Sequence, residues 1–376
     1  MGKKNVGKVM TVLGPVDPNS LGHTITHEHL YFDLTGYKRT NLSPEEIRFY
    51  EEKVTLRNLN RVRKDAYGTR DNCIHMDRSV ALREIAAFQS FGGGTICDVS
   101  PGGVKEGVME KYVPRLVDLS IASGVNVVAG FGHYIYNINK DVCETEISLG
   151  KRLPEIETMT PETLARDYID VIENGFAGTG VYPGIIGELG TGYQIHPQEA
   201  KVLRAGAIAQ RETGLAITLH MHAPSRNGQE ALDILLDAGA YPDKIVMGHS
   251  DGVLAHPDIE FSEAVDYYLG LLERGCYIEF DLCGNGEYFI TDEGSWWLPS
   301  DRERAKAIAR LCKAGYSDKI LLSHDTGHKY YLLEYGGWGY AHVLDGFHKT
   351  LLGHGIAPET IDKFTIDNPM RMLTIV

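Results

Sequence analysis

Eight short runs rich in branched apolar residues recur along the chain, at 24–30, 94–99, 125–131, 184–189, 215–220, 244–249, 276–282 and 319–325, with room for a helix between most of them. Strands of a parallel sheet are buried on both faces and read as such runs, and each needs a crossover to reach its parallel neighbour. The intervening stretches supply the crossovers. "PETLARDYIDVIEN" at 161–174 follows Thr160 as a cap, carries proline in its first turn and repeats its apolar residues at helical spacing. The stretches 198–212, 228–238, 263–274 and 302–314 follow the same pattern. Eight such units predict an α/β fold of the (β/α)8 TIM barrel type. No proline- or serine-rich linker divides the chain, so residues 1–376 are expected to form a single barrel domain.

Two connections exceed the usual length, 31–78 after the first run and 284–300 after the seventh. Both leave from carboxyl ends of strands, where barrels build their active sites from loops. Composition narrows the partners. A net charge of −14 disfavours nucleic acid and anionic membrane surfaces, and no apolar run approaches the roughly 20 residues of a membrane span. The basic start "MGKKNV" has no apolar segment behind it, and Val6 replaces the Ser or Thr of a myristoylation signal, so a cytoplasmic chain acting on a small molecule is expected. Cys73, Cys97, Cys143, Cys276, Cys283 and Cys312 form no Cys-x-x-Cys pair and read as reduced, mostly structural thiols.

The chemistry gathers at the carboxyl ends of the runs. In "THEHL", His27 and His29 lie two residues apart, so strand alternation points both to one face and Glu28 to the other. The fourth run brings Glu188, the fifth His220, the sixth His249 and the eighth Asp325. Singly, each has a structural use as a helix cap or a core-edge imidazole. Together, four imidazoles and two carboxylates at one end of a barrel suffice for two divalent cations of the zinc, manganese or iron type, with Glu188 able to bridge. His222 shares a face with His220 but lies outside the apolar run, and His324 should face away from Asp325. The remaining histidines, at 23, 75, 133, 196, 256, 328, 342, 348 and 354, fall in loops or helices and are expected at the surface.

"THEHL", "GIIGELG", "TLHMHAPSR", "GHSD", "SHD" and "IDNPMRML", in this order from about Gly14 to the end, resemble the phosphotriesterase-like branch of the amidohydrolase superfamily. In motif detail the chain is similar to its phosphotriesterase-related and resiniferatoxin-binding-type members, as is "YGGWGY" at 335–340. The resemblance implies that His27, His29 and Asp325 hold a more buried metal, that His220 and His249 hold a more exposed one, and that Glu188 bridges where many members use a carboxylated lysine. Zinc is the first expectation, with manganese, iron or cobalt as alternatives. Two such metals about 3.5 to 4 Å apart share a hydroxide that serves as nucleophile, with Asp325 carrying its proton.

An ester or lactone is the substrate expected first, since lactonase members place a tyrosine where this chain has Tyr134. Those members also carry an arginine after strand seven where this chain has Leu282, while Arg226 offers the pocket another cationic contact. The amide of an N-acyl amino acid or N-acyl taurine is the alternative, with phosphotriester cleavage as a side activity and a non-catalytic ligand-binding barrel as the rival of a different class. Trp296, Trp297 and Trp338 lie in the roofing loops, where they suit either an apolar substrate portion or a homodimer contact.

Overall fold

The structure is a computed structural model and describes residues 5–100, 108–136, 155–286, 288–291 and 294–376. Eight parallel strands form one sheet: β1 (His23–Glu28), β2 (Gly93–Asp98), β3 (Asn126–Phe131), β4 (Ile185–Gly190), β5 (Ile217–His220), β6 (Ile245–Met247), β7 (Tyr277–Phe280) and β8 (Ile320–Leu322). They pair in sequence order, and β8 returns to β1 through Asp325 N donating to His27 O at 3.1 Å, with the Ser323 hydroxyl bridging His27 N and O. This is the expected (β/α)8 barrel.

Helices wrap the outside for the reasons read from the sequence. Pro161–Asn174 starts on the Thr160 side chain, which accepts from Thr163 N, and Asp301–Lys313 starts on a reciprocal box between Ser300 and Glu303. Inside the barrel, Cys97, Val128, Ile185, Ala216, Val246, Tyr277 and Leu321 fill the lower layer. A hairpin of Val9–Thr11 with Gly14–Val16, not anticipated from the sequence, and the carboxyl-terminal residues Met372 and Leu373 close the base.

The long connection after β1 holds a short antiparallel pair, Phe32–Asp33 with Ile74–His75, and the helix Pro44–Tyr50. The one after β7 holds the ribbon Tyr288–Thr291 with Gly294–Trp297. The cysteines other than Cys143, which lies outside the described residues, are free, and all but Cys312 are buried. Among the described residues no helix is long and apolar enough to cross a membrane.

Candidate active site

At the carboxyl end of the barrel the chain leaves the strand ladders and turns its polar residues inward. Glu188 is the centre. Its Oε2 lies 3.1 Å from His27 Nε2, 3.3 Å from His220 Nδ1 and 3.9 Å from His249 Nε2, and its Oε1 lies 3.7 Å from His29 Nε2. Asp325 Oδ1 stands 3.0 Å from His29 Nε2 and 3.8 Å from His27 Nε2. His220 Nδ1 and His249 Nε2 approach to 2.7 Å. The structure therefore brings together His27, His29, Glu188, His220, His249 and Asp325.

Local backbone explains how. Gly187, just before Glu188, has φ +136°, and a Cβ there would sit 2.4 Å from Thr218 O on β5, so only glycine lets β4 pass this close. His249 (φ 52°) and Asp325 (φ 49°) occupy the left-handed region, which non-glycine residues rarely adopt and which costs about 1–3 kcal/mol each. Both strained residues belong to the cluster, and the strain is what re-aims their side chains after β6 and β8 end.

The electrostatics are those of a site built for positive charge. Burial opposes ionisation of every member, yet the Glu188 and Asp281 carboxylates hold the His27 imidazole well above its ordinary range, and Asp281 lifts His249 to about 9. Glu188 is held well below the carboxylate range, against burial, by His27 and His220, and Asp325 is lowered chiefly by His29. In such surroundings a proton on an imidazole stands where a cation would otherwise serve. The donor set fits divalent metal. Neither nitrogen of His27 nor Glu188 Oε2 makes an aligned hydrogen bond with a described residue, although all are buried. Unpaired polar atoms at full burial are costly, and imidazole nitrogens and carboxylate oxygens are the donor types that ions of the zinc, manganese or iron class take.

Sequence reasoning missed several residues around the six. Asp281, fully buried after β7, stands 2.9 Å from His249 Nδ1 and 3.2 Å from His27 Nδ1, with Glu279 behind it at 3.6 Å from His27 Nδ1. The signal was present: Tyr277, Glu279 and Asp281 alternate, so all three share the inner face of β7. Ser100 accompanies His29 (Nδ1 to Oγ 2.9 Å) and joins it to Tyr112 and Asp98. Glu28 faces away, as expected, and accepts from Ser323 Oγ, His324 Nδ1 and Thr326 N at the seam between β8 and β1.

Of the expected substrate contacts, Tyr134 reaches the cluster. Its hydroxyl lies 3.1 Å from His220 Nδ1 and 2.8 Å from that of Tyr37. Arg226 is exposed. Trp297 and Trp338 are each 62% exposed and pack on Tyr288 and His342, whereas half-buried Trp296 meets His222, 5.4 Å between ring centroids. The surface expectation fails for four histidines. His75, His133, His328 and His342 are buried, because the loops above the barrel fold back on it and pack them against aromatic rings, as His133 stacks on Tyr168.

The model of the phosphotriesterase family matches residues 7–373. The chain belongs to the phosphotriesterase family. With the polar cluster at its barrel mouth, this family member is a metal-dependent hydrolase. An N-acetyltaurine hydrolase of Tetraodon nigroviridis is 34% identical over 98% of both chains, and a phosphotriesterase-related protein of Nematostella vectensis is 32% identical over 98% of this chain and 99% of its own. Among solved structures, a resiniferatoxin-binding protein from Rhodobacter sphaeroides superposes with a TM-score of 0.86 at 31% identity, covering 98% of this chain and 95% of the other.

Proposed function

We propose that this chain cleaves the amide of a small N-acyl amino acid or N-acyl amino sulfonate, using two divalent cations, zinc first. The observation that carries the reading is the convergence of four imidazoles and Asp325 on Glu188. His27, His29 and Asp325 would hold one cation, His220 and His249 the other, and Glu188 both. When bound, such a pair acidifies water and polarises an acyl oxygen at neutral pH.

The protein's own groups divide the remaining work. Asp325 and His220 are the most exposed of the six side chains, at 22% and 15%, so the substrate meets the cluster on their side. Ionised and close to His29, Asp325 accepts the proton released at the cluster and delivers it to the departing amine. Tyr134, held by Tyr37, orients the acyl group beside His220.

Relatives named for N-acetyltaurine hydrolysis, similar over nearly the whole chain, support the amide and reverse the order expected from sequence. An ester or lactone is the second reading, favoured by the Tyr134 hydroxyl at the mouth. Metal analysis of the purified chain, paired with turnover of N-acyl amino acids, N-acetyltaurine, lactones and an aryl phosphotriester, tests both. Two metals per chain with the N-acyl amides preferred is expected. Preference for lactones installs the second reading, and absence of bound metal with no metal-dependent turnover leaves a ligand-binding barrel.

A further inference from the structure

Asp281 touches one imidazole from each of the two metal-holding pairs. Its Oδ2 accepts from the backbone N–H of His249 at 2.8 Å, its Oδ1 stands 2.9 Å from His249 Nδ1, and Oδ2 also stands 3.2 Å from His27 Nδ1. The carboxylate is fully buried, and the chain makes room for it. A Cβ at Gly248 would fall 3.1 Å from Asp281 Oδ2 and 2.2 Å from Leu219 O. The contact to His249 N also secures the backbone of a residue whose φ is 52°.

We propose that Asp281 is a positioning residue shared by both metal sites. By accepting at Nδ1 of His249, and by setting its negative charge 3.2 Å from Nδ1 of His27, it favours the proton on that nitrogen of each ring and leaves both Nε2 atoms facing Glu188 Oε2, which lies 3.1 Å from one and 3.9 Å from the other. The other two imidazoles lack this support. His29 leans on the Ser100 hydroxyl, and His220 on the Tyr134 hydroxyl. Because a single carboxylate serves one ligand of each pair, the two sites fill and empty together. An Asn in its place offers one acceptor oxygen and turns an NH2 toward the second imidazole.

The inference rests on the binuclear reading above, and the experiment separates the two. Zinc is titrated into chelator-stripped full-length wild type and Asp281→Asn against a competing chromogenic chelator. Wild type is expected to take up two zinc ions in one cooperative step, and the variant to bind both about 10–100-fold more weakly. Weakening of one ion alone, or of neither, overturns the shared role while the binuclear reading stands; failure of wild type to bind zinc overturns the reading itself. Should the variant not fold, histidine-selective nitrogen-15 spectra of zinc-loaded wild type decide. Protons on Nδ1 of both His27 and His249 are expected, and a proton on Nε2 of either overturns the proposal.

Discussion

The two ends of the barrel bury polar groups in opposite ways. At the base, Lys244 Nζ donates to Arg371 O, Met372 O and Thr374 O at 2.7, 2.9 and 2.5 Å, and Asn368 Nδ2 donates to Ser317 O and Ile320 O. The Gln210 amide likewise links Tyr241 N and Lys244 O. These groups are matched to fixed backbone partners and pin the carboxyl-terminal segment under the barrel. At the mouth, side chains face one another across gaps near 3 to 4 Å, two of them on left-handed backbone, and some polar atoms lack aligned partners. The base is organised for stability and the mouth for binding something the chain itself does not supply.

Asp325→Asn should break the mouth alone. At saturating free metal, where the weaker amide ligand still leaves both sites filled, we expect turnover to fall about 10²–10⁴-fold, the range for loss of a positioned proton carrier, with the unfolding midpoint unchanged or raised. Steady-state kinetics with metal analysis and urea unfolding checks this, and near-normal kcat with full metal would remove Asp325 from proton transfer. Chelation should come next. Stripping metal is expected to abolish activity and to lower unfolding free energy by about 5 kcal/mol, roughly 2.7 for each of two ions, relative to protein held at free metal 100-fold above Kd, with the barrel's far-ultraviolet circular dichroism intact.

Lys244→Met is the converse test at the base. It keeps the apolar stem but leaves three carbonyls without their donor, so a loss of roughly 2–4 kcal/mol in urea unfolding is expected with kcat and KM of the surviving enzyme unaltered. A change in KM would mean the ends are not independent.

The smallest effect concerns acid. Burial would raise Asp301, but His342 and Arg304 bring it down to about 2. A carboxylate depressed in the folded state stabilises fully above its unfolded value of 3.8, and that contribution is lost as pH falls from about 4 through 2. Asp301→Asn should therefore flatten the acid limb of the stability curve by roughly 1–2 kcal/mol between pH 5 and 2. An unchanged slope would show that the pair with His342 adds nothing.

How much of this could be read in advance follows the same division. Strand alternation and the eight-run pattern identified the barrel, and ligand-type residues at strand ends located all six members of the cluster. Asp281 is equally legible from the period of β7, since it falls two residues after Glu279 on the face that Tyr277 shares. β6 and β8 end earlier than their apolar runs predict, since His249 and Asp325 leave the ladder through left-handed backbone that no propensity signals. Tyr37, Ser100 and the buried loop histidines depend on how long connections fold over the barrel, a matter of tertiary packing. The hairpin at the base has too few residues to carry a strand pattern.

The seam between the first and last strands sets a timetable for the nascent chain. His27 N finds its Ser323 partner 296 residues later, and Asp325 is added to the cluster only there. Two of the imidazoles leave the ribosome near the start, and the group that completes their surroundings emerges close to the end. A chain halted before β8 would own five of the six converging groups and an open edge of sheet, the kind of surface that pairs with other chains. A product truncated before β8 is expected to bind metal more weakly than the full chain and to aggregate.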